Sequence, residues 1–172
     1  MSDVEIAVAR SEERATLENL MQLYVHDFSE AWSGTPRGEL ESDGRFAAYP
    51  FDAYWRDAGH VPLLLRLDGH LAGFALLNRS SHSGLPVDRN MAEFFIVRKH
   101  RRGGIGAVAT QTIFSRYPGQ WETAVARRNT GALAFWRAAA GRHPLVEDLE
   151  ESDHSTASWN GPVLRFRIRS ST

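Results

Sequence analysis

One stretch constrains this chain more than any other. Residues 91–97 (Met-Ala-Glu-Phe-Phe-Ile-Val) form a nearly continuous apolar run, the mark of a strand buried on both faces. It runs through Arg98-Lys99-His100-Arg101-Arg102 into Gly103-Gly104-Ile105-Gly106. Ile105, Val108, Ala109, Thr112 and Ile113 then recur at helical spacing up to Tyr117. A buried strand that feeds a glycine-rich turn and opens a helix requires an α/β arrangement, and it builds an anion site. Glycine lets backbone approach a ligand closely, the first helical N–H groups point outward, and the helix dipole favours negative charge. Arg101 and Arg102 add positive charge beside it, so phosphate or pyrophosphate is the natural guest.

The rest of the chain supplies elements on both sides of this unit. Residues 4–9 read as an opening strand. Ser11, Glu12 and Glu13 read as a capped helix start, and Leu17, Leu20, Met21, Tyr24 and Phe28 lie on one helical face. Ser33-Gly34-Thr35-Pro36 ends that helix, residues 37–49 read as a long loop, and residues 51–57 as a short helix. Residues 61–67 and 71–77 are apolar strands joined by an Asp68-Gly69 hairpin turn. Residues 78–90 are turn-forming. Residues 121–126 read as a strand, 130–140 as a helix with Gly141 as its C-cap, and 145–149 and 163–168 as late strands, with a turn at Trp159-Asn160-Gly161-Pro162. The order β-α-α-β-β-β-α-β-α-β-β is that of a mixed α/β domain.

At 172 residues the chain fits a single domain, residues 1–172, large enough for a core without staples. There are no cysteines, which excludes disulfides, thiolate metal sites and cysteine nucleophiles. The histidines show no metal spacing, so no metal is expected. The apolar runs are far shorter than the roughly 20 residues of a membrane span, and residues 1–10 do not resemble a signal peptide. We therefore expect a cytoplasmic protein without a membrane partner. The net charge is −1, and the arginine cluster has no second basic stripe beside it, so nucleic acid is not an expected partner.

Two nucleotide motifs fit poorly. A P-loop closes on Gly-Lys-Ser/Thr, which Gly106-Ala107-Val108 does not supply. A dinucleotide fingerprint follows the first strand and needs a third glycine; this turn follows the fourth strand and continues Ala107-Val108-Ala109. Arg101-Arg102-Gly103-Gly104-Ile105-Gly106 instead resembles the Arg/Gln-x-x-Gly-x-Gly/Ala loop of the GNAT superfamily of acyl-CoA-dependent N-acyltransferases. Asn129-Thr130-Gly131-Ala132-Leu133-Ala134-Phe135-Trp136 resembles that family's downstream Asn-x-x-Ala-x-x-Phe-Tyr motif.

The resemblance implies a mixed, mostly antiparallel sheet flanked by helices, with the fourth and fifth strands splayed. It implies acetyl-CoA as co-substrate, its pantetheine arm along Phe95, Ile96 and Val97. The pyrophosphate would lie on the amides of Arg101, Arg102, Gly103, Gly104, Ile105 and Gly106, with Asn129 and Phe135 beside the arm. The implied reaction is direct attack by a primary amine, from a small molecule or a protein, on the thioester. Glu93, the one acid in the strand-four run, is the candidate general base; an arginine-paired carboxylate is the other reading. Strand alternation predicts Met91, Glu93 and Phe95 on one face. His26, Asp27, Glu30 and Tyr54 are candidate acceptor contacts; solvated helix-end polarity and a core anchor are the other readings. Trp136 stands where the family carries a tyrosine acid, and an indole cannot donate a proton near neutral pH. Either the thiolate leaves without that help, or Tyr54, Tyr24 or water takes that place. A non-catalytic acyl-CoA-binding protein and a nucleotide-binding module are the alternative functions. The acceptor, the acyl length, and the choice between monomer and homodimer stay open.

Overall fold

The computed structural model describes residues 3–170. Among them the strands form one seven-stranded sheet in the order β1-β2-β3-β4-β5-β7-β6. The strands are β1 (Val4–Val8), β2 (Val61–Leu67), β3 (His70–Asn78), β4 (Arg89–Ile96), β5 (Gly119–Ala124), β6 (Val146–Ser155) and β7 (Asn160–Ile168). Every neighbouring pair is antiparallel except β4 and β5. The helices are α1 (Arg14–Ser29), α2 (Ala53–Arg56), α3 (Ile105–Arg116) and α4 (Thr130–Gly141).

Two apolar layers sandwich the sheet. On one face Met91, Phe94 and Ile96 of β4 pack with Ile105, Ala109, Ile113 and Phe114 of α3 and with Trp136 of α4. On the other, Phe95 and Phe74 meet Leu17, Leu20 and Met21 of α1 and Tyr54 of α2. The β2–β3 hairpin turns on Asp68 (φ 50°) and Gly69 (φ 79°), the positive-φ pair the sequence predicts.

Several local expectations are corrected. Ser11 does not cap α1. Ser11–Glu13 form a 3-10 turn, and the Glu13 carboxylate accepts the Arg10 amide at 3.0 Å, which moves the cap one residue upstream. Met91 does not share the Glu93 face: the β3–β4 register passes from Leu76↔Glu93 to Leu77↔Met91, so Ala92 is bulged and the alternation slips by one. Gly141 is still helical, and Arg142 is the C-cap. Asn160 already belongs to β7, so the turn lies before it.

The largest departure is β6, which reaches Ser155 rather than stopping at Leu149. Its polar side chains carry no apolar period. The strand is held instead by its ladder with β7 and by the ion pairs Arg127–Asp153, Arg137–Glu151 and Arg167–Asp148.

Candidate active site

The two parallel strands diverge almost at once. β4 and β5 pair only at Arg89↔Trp121 and Asn90↔Glu122. From Met91 onward, the edge of β4 that looks toward β5 has no strand partner. A parallel pair opened in this way presents free backbone groups in a wedge, which an extended polar chain can fill.

The anion loop lies at the open end of the wedge. Arg102 (φ 65°) and Gly104 (φ 83°) take the left-handed conformation, and Gly104 caps α3. This curls successive N–H groups toward one point. The amides of Arg102, Gly103 and Gly104 donate to no backbone acceptor among the described residues. Those of Ile105 and Gly106 open the helix, where no intrahelical acceptor precedes them. A Cβ added to Gly104 would meet nothing within 4 Å, so the loop is open to a ligand. Gly106 has a second duty: a Cβ there would lie 3.2 Å from the Phe135 ring, so its bareness lets α3 approach α4.

The loop arginines divide. Arg101, though exposed, is engaged by groups of the protein itself. Its Nε donates to the Ile96 carbonyl at 2.7 Å, its Nη2 pairs with Asp27, its guanidinium lies 5.4 Å from the Phe95 ring centroid, and its amide donates to the Arg98 carbonyl. Arg98 joins the same carboxylate at 2.9 Å. Burial would raise the Asp27 carboxyl, but hydrogen bonds from Arg101 and Arg98 hold it below the usual carboxylate range. Arg102 is exposed and takes part in no ion pair among the described residues. Val97 donates its amide to Ala72 and accepts from His100, so its backbone is already paired.

On the α1 face of the wedge sits Glu93. It lies beside Tyr24 of α1 and Tyr49 of the loop before α2. Burial pushes its carboxyl up to about 7, with the two tyrosine hydroxyls partly opposing that rise. Tyr24 is itself fixed edge-on against Phe74 and Phe95. Burial, reinforced by the Glu93 charge, raises the Tyr24 and Tyr49 hydroxyls well above their ordinary value. Tyr54, raised to about 12 chiefly by burial, stands next to Tyr49 and Asn78. A carboxyl that titrates near neutrality in an aromatic enclosure is suited to taking a proton from an ammonium group.

The α4 face carries no such group. Asn129 caps α4, its Oδ1 accepting from Ala132 at 3.1 Å. Phe135 stacks on Phe94 with ring centroids 5.7 Å apart, and Trp136 lies edge-on to Phe94 at 5.3 Å. Trp136 is 6% exposed and belongs to the core.

His26, Asp27 and Glu30 line a broad open groove of about 610 Å³ together with Trp32, Arg37 and Arg98. Tyr54 is not among its walls; it belongs with Glu93 and Tyr49. The segment after α1 is tied across the wedge, because Arg128, which follows β5, donates to the Ser33 carbonyl at 3.0 Å and the Ala31 carbonyl at 3.4 Å. Sequence reasoning missed Tyr49, Asn90 and Glu122. Glu122 is fully buried on β5 and accepts from Ser81, Ser83, the His82 amide and Arg165. A lone acid inside residues 121–126 was the signal available for it. Among the described residues no cluster of His, Asp and Glu could hold a metal ion, and no helix is long and apolar enough to cross a membrane.

Comparisons with known proteins agree with this architecture. An acetyltransferase from Thermus thermophilus superposes with a TM-score of 0.66 at 15% identity, over 96% of this chain and 97% of that one. The aminoglycoside acetyltransferase AAC(6')-Ib, solved with coenzyme A, gives 0.64 at 13% identity over 97% and 95%. The ribosomal-protein-S18-alanine N-acetyltransferase of Escherichia coli gives 0.56 at 9% identity over 99% and 96%. No curated protein matches the sequence. The sequence model of the Acetyltransferase (GNAT) family matches residues 17–141, which take in most of α1, the wedge, the glycine loop and α4. On that match, and with the parallel pair split at Asn90, the chain belongs to the GNAT acetyltransferase family.

Proposed function

We propose that the protein is an N-acetyltransferase that moves an acetyl group from acetyl-CoA to a primary amine by direct attack. The observation that carries the reading is Glu93, a carboxyl tuned to about 7 beside the wedge where a thioester would lie. The amine nitrogen attacks the thioester carbonyl and forms the C–N bond. Its proton passes to Glu93, and the C–S bond breaks to release coenzyme A as thiolate. A simple thiol titrates near about 8.5, so the thiolate can leave near neutral pH and be protonated by water. That removes the need for an acid at Trp136. The raised tyrosines are poor acids, which argues for water over Tyr24 or Tyr54.

In this reading the free amides of residues 102–106 hold the diphosphate, with Arg102 as the mobile cation and Arg101 as a brace for the loop. Phe95 and Ile96 border the pantetheine arm, and Val97 contributes through its side chain. Asn129 has its Nδ2 left for the arm, and Phe135 flanks it. His26, Asp27 and Glu30 form the outer acceptor wall, and Tyr54 belongs to the inner one. Bound coenzyme A in two of the structural neighbours supports the ligand class. The test is release of free thiol from acetyl-CoA over a panel of primary amines. Amine-dependent release supports the reading. Tight binding of coenzyme A without turnover of any amine would instead make the chain a non-catalytic acyl-CoA-binding protein. Displacement of coenzyme A by ATP or NAD would favour a nucleotide module.

A further inference from the structure

The anion loop is reached from β4 through a single 3-10 turn, Arg98–His100, closed by the Arg101 amide donating to the Arg98 carbonyl at 3.1 Å. The next residue, Arg102, holds φ 65°. A left-handed conformation is costly for a residue with a Cβ, and it persists only where the flanking structure imposes it. On the far side the start of α3 does so, with the Gly104 carbonyl accepting from Val108. On the near side the constraint comes from α1. Asp27 Oδ1 accepts from Arg98 Nε at 2.9 Å and Asp27 Oδ2 accepts from Arg101 Nη2, so one carboxylate grips both ends of the turn. Arg101 is fixed to β4 as well, through the Ile96 carbonyl and the Phe95 ring.

The helix that carries Asp27 does not account for it. Asp27 lies in the last turn of α1, where the helix dipole disfavours an acid. Its side chain is 18% exposed, against 67% for Arg98 and 39% for Arg101, so the carboxylate gives up more of its water than either partner. What this placement secures is the backbone of the turn. Arg101 would have to break three side-chain contacts to reach a phosphate, whereas Arg102 has no ion pair to break among the described residues. The arginines therefore divide between holding the loop and meeting the ligand.

We propose that Asp27 is a positioning residue for the coenzyme: through Arg98 and Arg101 it staples the turn that aims the amides of residues 102–106 at the diphosphate. This rests on the transferase reading above, which puts the diphosphate there. Asp27 stands three residues after Tyr24, and side chains at that spacing share one face of a helix. The same face of α1 thus serves the loop through Asp27 and Glu93 through Tyr24. Asp27 also borders the open groove with Glu30, so one carboxylate lies between the coenzyme loop and the acceptor wall.

The test is calorimetric titration of coenzyme A, pantetheine and inorganic pyrophosphate into wild type, Asp27→Asn, Arg101→Gln and the double variant. Asp27→Asn should weaken coenzyme A and pyrophosphate about five- to tenfold and leave pantetheine, which lacks the diphosphate, unchanged. Arg101→Gln should weaken coenzyme A at least as much. Asp27→Asn added to it should cost well under the factor seen in wild type, because both act on one turn. A folded Asp27→Asn that binds coenzyme A as well as wild type, or more tightly because two guanidiniums are released, overturns the inference. An equal loss for pantetheine also overturns it, since Asp27 would then serve the fold alone. Full additivity in the double variant does the same, because Arg101 would then meet the phosphates directly. Where Asp27→Asn does not fold, Arg98→Gln removes one arm of the staple. It should weaken coenzyme A by a smaller factor with pantetheine again unchanged, and an unaltered coenzyme A affinity is then the contrary result. A wild type that binds pyrophosphate but not coenzyme A would defeat the transferase reading and leave the pyrophosphate titrations to judge this one; binding of neither would defeat both.

Discussion

The two faces of β4 carry opposite chemistries within a few residues of each other. Toward α3 and α4, Phe94 is packed between Phe135 and Trp136, and the surface is dry. Toward α1, Glu93 sits among the hydroxyls of Tyr24, Tyr49 and Tyr54. The first face has what a stable fold requires. The second keeps a buried carboxyl with a raised titration point, which is destabilising and is characteristic of functional sites. The bulge at Ala92 re-aims the strand just ahead of Glu93, so that Met91 joins the dry face while Glu93 faces the tyrosines.

This contrast can be broken from either side. The largest effect is expected on the dry face: Trp136→Ala should cost about 3–5 kcal/mol in denaturant unfolding, as for other large aromatic truncations in a core. A loss below about 1 kcal/mol would mean that the indole is not a structural anchor.

The polar face should show the opposite sign. Glu93 is raised from its ordinary 4.5 to about 7 in the folded chain. Its contribution to stability is therefore complete below pH 4.5 and lost as pH rises through 7, because the unfolded chain ionises first. Glu93→Gln removes that slope. Relative to wild type, the variant should gain about 2–3 kcal/mol between pH 4.5 and pH 8. Parallel stability curves for the two proteins would show that Glu93 is not strained.

A smaller effect is expected at the loop. Gly104→Asp places a carboxylate at a positive-φ helix cap facing the proposed diphosphate, and coenzyme A affinity should fall at least about tenfold, or about 1.4 kcal/mol. Unchanged affinity in calorimetry would remove the loop from the site. The smallest effect is ionic: coenzyme A binding should weaken modestly with added salt through Arg102, whereas pantetheine, which lacks phosphate, should show no slope. Equal slopes for both ligands would contradict the placement.

How far the sequence reveals each region follows from what the region is made of. The anion loop is built from backbone, and backbone geometry is written locally: glycines at 103, 104 and 106 and a strand before them suffice to place it. Asn129 is legible in the same way, as a helix cap. The Glu93 enclosure is built from side chains delivered by α1, the loop before α2, and β4. Tyr49 lies in a segment without period, and nothing near it announces a partner 44 residues away in the sequence. The slip at Ala92 has no signature in an apolar run, so alternation misassigns Met91 while it places Glu93 and Phe95 together correctly. The extent of β6 is hidden for another reason: an exposed edge strand held by ion pairs and its ladder needs no apolar pattern.

The central claim is that the polar face of β4 carries the base. It is tested most directly by the pH dependence of kcat/KM for amine-dependent thiol release, measured for wild type and Glu93→Gln under the same conditions. The account predicts an acidic limb with its midpoint near pH 7 in wild type. In the variant that limb should be gone, with kcat/KM lower by roughly 10²–10⁴ and coenzyme A affinity unchanged. A folded variant that binds coenzyme A normally and keeps the wild-type rate and the wild-type limb would contradict it.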